Sequence, residues 1–225
     1  MVACVAFEDW ELAALRETFS KDRWVDKRDR ALLALGVSCP ARVSEMLVLS
    51  EAAVLDESGE LAESWHCAAK DNKTRTATDY PISPAAHLAL LEWLACRRVS
   101  GWRKCDPLFP SRSGGKAMSR KAAWQMVKRR CAAAGLKTVG KGTHSMKHTA
   151  ISNAYDGFVE RQGKGEVGVD PLRDTQAFSG HKKLESLLHY LRPRREAARR
   201  EGFVQAAKGA ALLVGEDIRK KGGEE

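Results

Sequence analysis

No apolar run in this sequence approaches the roughly 20 residues that a membrane-spanning helix needs. The opening residues, MVACVAFEDWELAALRE, have no basic start and turn acidic by residue 8, which does not fit a secretion signal. The six cysteines form no C-x-x-C pair and match no zinc module, so they are expected to be reduced, mostly buried thiols of a cytosolic protein. Internal repeats and low-complexity blocks are absent. Tyrosine is scarce, with only Tyr80, Tyr155 and Tyr190. The stretch THSMKHTA, residues 143 to 150, has two histidines but lacks the glutamate that a zinc protease places after the first of them, so metal binding there is poorly supported.

What the sequence does have is positive charge. Its 225 residues are 44% hydrophobic and 30% charged, which suits one substantial soluble core, and the net charge of +9 favours a polyanion such as nucleic acid. Periodicity predicts helices over residues 7–19, 26–38 (Ala31, Leu32, Leu35 and Gly36 inward) and 41–50 (Val43, Met46 and Leu47 inward). Residues 61–83 read as strand, turn and strand, with Asp71-Asn72 as the turn. Further helices are expected over 83–99 (Leu88, Leu91 and Leu94 as the apolar stripe), over a basic segment 120–136 stopped by Gly135, and from a capping Thr143 to about Tyr155. The Gly-rich residues 157–171 read as loop, and one or two helices follow in 172–191. The class is therefore α+β, mainly α-helical with a small antiparallel β-hairpin.

Four clusters carry nitrogen bases beside signals of tight backbone placement. Arg42 sits at a helix start, where free N–H groups also favour an anion, and Glu45 lies three residues on, placed to orient the guanidinium. Lys70, Lys73 and Arg75 crowd the hairpin tip. His144, Lys147 and His148 share one stretch of helix, and Gly180-His181 precedes Tyr190 and a basic run from Arg192 to Arg200. Read singly, each is also what a solvated charged face, or a half-buried tyrosine, would give.

In order and spacing, the series resembles the tyrosine recombinase (phage integrase) family. That family has an arginine in a T-G-x-R-x-S-E helix start, a lysine on a β-hairpin, an H-x-x-R helix, a G-H pair, and a nucleophilic tyrosine nine residues after that histidine. The corresponding residues here are Arg42 in Ala41-Arg42-Val43-Ser44-Glu45, Lys70, His144 to His148, Gly180-His181, and Tyr190. DPLFPSRSGG also resembles the family's L-F-P loop, and the likeness runs over about residues 7 to 200. It implies a DNA breaking-rejoining fold and a site-specific recombinase or integrase that needs no metal or cofactor.

By the same resemblance, Arg42, Lys147, His144 and His181 would surround the phosphate oxygens, Tyr190 would be the nucleophile, Lys70 the general acid and His144 a helper base. Lys73, Arg75, Lys128 and Arg129 are expected to contact DNA. The expected partners are double-stranded DNA and further copies of the chain, as dimers or tetramers on that DNA, with no membrane. The setting would be the cytoplasm and nucleoid of a prokaryote, phage or mobile element. Residues 1–200 would form the catalytic domain. Residues 201–225 would form a helical tail whose stripe of Phe203, Ala207, Ala210 and Val214 packs on its own domain or on a neighbouring protomer. A separate core-binding domain is not expected ahead of Arg42.

Departures from the pattern matter. Lys147 stands where the family has its second arginine, so charge is kept and the bidentate fork is lost, with reduced activity as the expected result. A type IB topoisomerase-like or telomere-resolving enzyme and a catalytically weakened DNA-binding protein are the alternatives; a helix-turn-helix regulator would leave the hairpin and Tyr190 without purpose. An unbroken helix from His181 to Tyr190 would hold them about 13.5 Å apart on opposite faces. A break is therefore expected near Ser186 to Leu188, with Tyr190 on a short mobile segment.

Overall fold

Apolar residues at helical spacing dominate the chain, and its computed structural model is accordingly mostly helical; it describes residues 4–72, 75–103, 106–113, 115–191 and 201. Two units are distinguished, Met1–Gly180 and His181–Glu225. In the first, α1 (Asp9–Arg16) and α2 (Trp24–Ser38) lead into a short α3 (Val43–Met46) and a 3₁₀ turn at Glu51–Val54. Strands β1 (Ser64–Cys67) and β2 (Thr78–Pro81) pair antiparallel with Trp65 opposite Tyr80, and α4 (Pro84–Val99), α5 (Arg120–Ala133), α6 (Thr143–Gly163) and α7 (Pro171–Ser179) complete the unit. The second unit contains α8 (Leu184–Leu188). Among the described residues no helix is long and apolar enough to cross a membrane.

The core forms where α2 packs on α4 and α6. Ala31, Leu32, Leu35 and Gly36 of α2 are buried as their spacing requires. A side chain at Gly36 would have its Cβ 2.7 Å from Met146 Cε, so glycine is what lets α2 and α6 approach closely there. In α3, Met46 and the following Leu47 are buried while Val43 is only half-buried.

Several elements differ from the sequence reading. The inward face of α4 is Ala86, Ala89, Leu90, Trp93, Leu94 and Arg97, whereas Leu88 is 68% exposed and Leu91 is also exposed. Two leucine stripes compete on this helix. The one sharing its face with Trp93 and Arg97 is buried, because those side chains reach acceptors inside: Trp93 Nε1 donates to Leu108 O (2.8 Å) and Arg97 Nε to Glu51 (2.7 Å). The segment read as a helix over 41–50 is helical only over α3, then bends into the bridge between Ser50 and Pro107. Residues 157–163, expected as loop, extend α6; glycine lowers helix propensity by only about 1 kcal/mol, and packing of α6 on α7 outweighs that. Positive φ at Gly165 and Gly168 follows beyond the helix end.

Thr143 is the first residue of α6 rather than its cap. The cap position is Gly142, whose amide donates to Ser145 Oγ (3.1 Å). The described cysteines Cys4, Cys39, Cys67, Cys96 and Cys131 are free thiols, three of them buried. The stripe expected at Phe203, Ala207, Ala210 and Val214 lies outside the described residues.

Candidate active site

Helix starts build this site. An α-helix leaves its first N–H groups without intrahelical partners, and aligned peptide dipoles make that end electropositive. In the first unit, Arg120 and Lys121 from the first turn of α5 and Thr143 and His144 from the first turn of α6 line one open cleft of about 820 Å³. Arg42, Val43 and Ser44 from the start of α3, and Lys70, Asp71, Asn72 and Arg75 from the β1–β2 connection, complete its lining. Cations outnumber acids there, since Arg42, Lys70, Arg75, Arg120 and Lys121 face the single carboxylate of Asp71.

The local structure explains how these groups are held. Arg42 precedes α3 in an extended conformation, and Glu45 closes the turn from within it. The Glu45 carboxylate accepts from the Arg42 amide (2.7 Å) and from Arg42 Nη1 (3.1 Å). Glu45 is only 1% exposed while the Arg42 side chain keeps 28%, so the guanidinium is fixed from behind with its remaining donors toward the cleft side. At the hairpin, the Asp71 and Asn72 amides donate to Ala68 O (2.9 and 3.1 Å), and Asn72 Nδ2 donates to Thr78 Oγ1 (3.1 Å). Arg75 is held at φ 57, a left-handed value uncommon for a side-chain-bearing residue. The N-terminal segment braces the start of α6. The Val5 amide donates to Gly140 O (3.1 Å), the Phe7 amide to Thr149 Oγ1 (2.7 Å), and Lys141 pairs with buried Glu11.

Lys147 follows His144 by three residues on α6 and is only 6% exposed. Burial, then the neighbouring Arg42 charge, pulls its ammonium down to about 8, with Glu45 and Cys39 acting in the opposite direction. The nearby Cys39 thiol is pushed up to about 12 by burial, so it remains neutral.

The expected DNA contacts divide. Arg75 lines the cleft. Lys128 borders an adjoining depression of about 350 Å³ with Trp124, Lys141, Thr143 and His144, and its ammonium lies 5.2 Å from the Trp124 ring centre. Arg129 is exposed on α5; partial burial, then the charge of Arg112, lowers its pKa. Lys73 lies outside the described residues. Sequence reasoning missed Arg120 and Lys121. A signal was present, because two cations and no acid in a helix's first turn oppose the helix dipole unless an anion binds there.

In the second unit, His181 and Tyr190 are neighbours, with ring centroids 5.1 Å apart and planes tilted by 47°. The break that allows this is not near Ser186 to Leu188, which are helical. It lies at residues 180–183: Gly180 takes a left-handed conformation (φ 66) at the end of α7, and α8 begins only at Leu184. His181 therefore precedes the helix and Tyr190 follows it, its amide donating to Leu187 O (2.8 Å). A helix of five residues brings the two ends together where an unbroken one would not.

Residues 10–197 match the Phage integrase family. This chain belongs to that family of tyrosine recombinases. Among curated relatives it is 29% identical over 158 residues to tyrosine recombinase XerD of Corynebacterium glutamicum, covering 69% of this chain and 49% of that one. It is 29% identical over 172 residues to tyrosine recombinase XerC of Brucella suis, covering 76% and 48%. The chain thus spans about half the length of these relatives. The fold of the tyrosine recombinases is shared with the crystal structure of XerA recombinase (TM-score 0.63, 19% identity, 88% of this chain and 66% of that one). It is shared as well with XerH site-specific recombinase bound to its palindromic difH substrate in a post-cleavage complex (TM-score 0.63, 19% identity, 90% and 53%).

Proposed function

We propose that the chain carries the catalytic apparatus of a site-specific DNA recombinase or integrase, which cuts and rejoins DNA through a 3′-phosphotyrosyl link. The observation that carries this reading is the convergence of the α5 and α6 starts, Arg42, Lys70 and His144 on one cation-lined cleft. Such a cleft suits a phosphodiester, whose transition state concentrates charge on its non-bridging oxygens. Arg42, Lys147, His144 and His181 would stabilise that charge, with Glu45 holding Arg42 in place. Tyr190 Oη attacks phosphorus, so the P–Oη bond forms as the bond to the 5′-oxygen breaks. The phenol proton passes to a base, in the role of His144, and the leaving 5′-oxygen takes a proton from Lys70. Rejoining reverses these steps, and the energy of the broken bond is held in the protein–DNA link.

Lys73, Arg75, Lys128 and Arg129 would hold the flanking duplex. Strand exchange requires more than one cut, so copies of the chain would assemble on DNA, in the cytoplasm of a bacterium or the host of a phage or mobile element. The family match and the Xer relatives support a recombinase over a topoisomerase-like or telomere-resolving enzyme. One observation favours a second reading, a weakened enzyme that mainly binds DNA: Lys147 in place of the family arginine.

The test is covalent trapping on nicked suicide duplexes, with inverted repeats sought in the DNA flanking the gene as the candidate sites. The wild type should give a protein–DNA band on a denaturing gel, and Tyr190→Phe should give none while retaining DNA binding. An adduct that persists in the Phe variant would mean another nucleophile. DNA binding by the wild type with no adduct under any condition would favour the second reading.

A further inference from the structure

The charges around Lys147 set up a behaviour that an arginine there could not have. Two cations, Arg42 and Lys147, share one buried carboxylate, Glu45. Glu45 is already engaged by the Arg42 amide and guanidinium. Among the described residues the Lys147 ammonium has no hydrogen-bond or ion-pair partner within 4 Å, although the residue is only 6% exposed. After Arg42 and Glu45, the group that acts on it is the Cys39 thiol just beyond α2, and Cys67 of β1 and Tyr80 of β2 belong to the same neighbourhood through Glu45. Burial pushes all three up, Cys67 to about 11, so none carries charge near neutral pH. On α6 itself, His144 and His148 flank it in sequence.

Among Arg42, Glu45 and Lys147 the formal balance is therefore +1 when Lys147 is protonated and zero when it is not. We propose that Lys147 couples phosphate binding to proton uptake, so that the pocket takes its anion together with a proton held on the Lys147 amine. The inference rests on the functional reading above for the identity of the anion. Arriving phosphate supplies the charge partner that the buried ammonium lacks, and favours RNH₃⁺ over RNH₂. The depressed pKa, about 8, places the exchange within reach of ordinary cellular pH. Arginine stays charged throughout that range, so a pocket with arginine at this position binds phosphate without proton exchange. Above pH 8 the chain should lose affinity for the reacting phosphate by up to about tenfold per pH unit.

The experiment is carbon NMR of the intact chain carrying lysine labelled at the ε-carbon, titrated alone, with inorganic phosphate, and with a random-sequence DNA duplex. The Lys147 signal is identified by its loss in Lys147→Arg and, should that variant fold poorly, in Lys147→Met. It is expected to titrate near 8 in the free chain and to move up by about one pH unit or more with phosphate or duplex, equivalent to at least about tenfold tighter binding of the anion by the protonated form. A Lys147 signal that titrates with the other lysines above 10, or that titrates near 8 and is moved by neither probe, would overturn the proposal. Failure of the recombinase reading is a separate outcome: no covalent trapping at Tyr190 while the Lys147 shift persists would leave a proton-coupled anion pocket in a protein that does not cleave.

Discussion

Two sets of buried or half-buried cations lie in the same unit and are treated in opposite ways. Arg28, Arg97 and Arg130 are surrounded by acceptors. Arg28 pairs with Asp29 (2.6 Å) and donates to Pro110 O (2.6 Å), Arg130 pairs with Asp26 and Asp29, and Arg97 binds Glu51 and Pro107 O (both 2.7 Å). Arg28 and Arg97 thereby tie α2 and α4 to the loop whose Leu108 and Phe109 fill the core, and Arg130 ties α5 to α2. Around the cleft, Arg42 and Lys147 share one carboxylate and leave a surplus of positive charge. The first set is satisfied within the fold. The second is complete only when an anion arrives, and the fold bears the cost of waiting for it. Breaking a pair in the first set should therefore destabilise the chain, whereas removing Lys147 from the second should stabilise it.

Glu51→Ala gives the largest expected effect. It strands Arg97, and loss of one partner from a buried pair costs about 3–5 kcal/mol, so thermal or urea unfolding should show a severe loss. Cleavage per folded molecule should be nearly unchanged. Next is Arg42→Ala, which removes a preorganised donor and should slow covalent-complex formation by about 10²- to 10³-fold, with a much smaller change in unfolding.

Lys147→Met should stabilise the chain while weakening cleavage. Burial, then the Arg42 charge, pulls the folded amine down to about 8 from its ordinary 10.5. At pH 7 the protonated, buried form therefore costs about 3 kcal/mol. Because the folded pKa is lowered, the unfolded chain binds more protons between these values. The cost is present in full below about pH 8 and is relieved as pH rises toward 10.5. Unfolding of wild type and variant should differ at pH 7 and converge near pH 10.5; a less stable variant at pH 7 would mean that Lys147 belongs with the satisfied set. Lys147→Arg should raise cleavage or leave it unchanged, and a large loss would show a pocket fitted to lysine.

The smallest effect concerns Lys121 at the start of α5. About six phosphate contacts give a log–log salt slope near −5, and Lys121→Ala should reduce its magnitude by about 0.9. An unchanged slope would remove α5 from the DNA surface.

Much of the site was legible because it depends on local spacing. Glu45 lies three residues from Arg42, and that interval alone fits the pair the structure contains. The hairpin was readable from its turn, and the inward face of α2 from its period. The misreadings arise where tertiary partners decide. On α4, the acceptors of Trp93 and Arg97 select the buried stripe, and no leucine pattern shows where Leu108 O or Glu51 will be. The close approach of α2 and α6, where Gly36 meets Met146, is displayed in the sequence only as a glycine, and nothing in the local pattern shows that the next residue, Lys147, is buried. The break before Tyr190 was inferred correctly from the need to join His181 and Tyr190, but Gly180 was overlooked as the residue able to make it.

The account depends most directly on Tyr190, and the chain's scarcity of tyrosine makes one measurement decisive. The covalent complex, trapped on the suicide duplex and digested with nuclease and trypsin, can be read by mass spectrometry for the peptide that retains a phosphoryl nucleotide. The predicted carrier is the peptide of residues 184–194, modified at Tyr190. Tyr80 should be bare, since burial pushes its phenol pKa well above the usual range beside Trp65, 4.7 Å away between ring centroids. A nucleotide on Tyr80, on Tyr155 or on any serine, with Tyr190 unmodified, would contradict the assignment of the nucleophile and the mechanism built upon it.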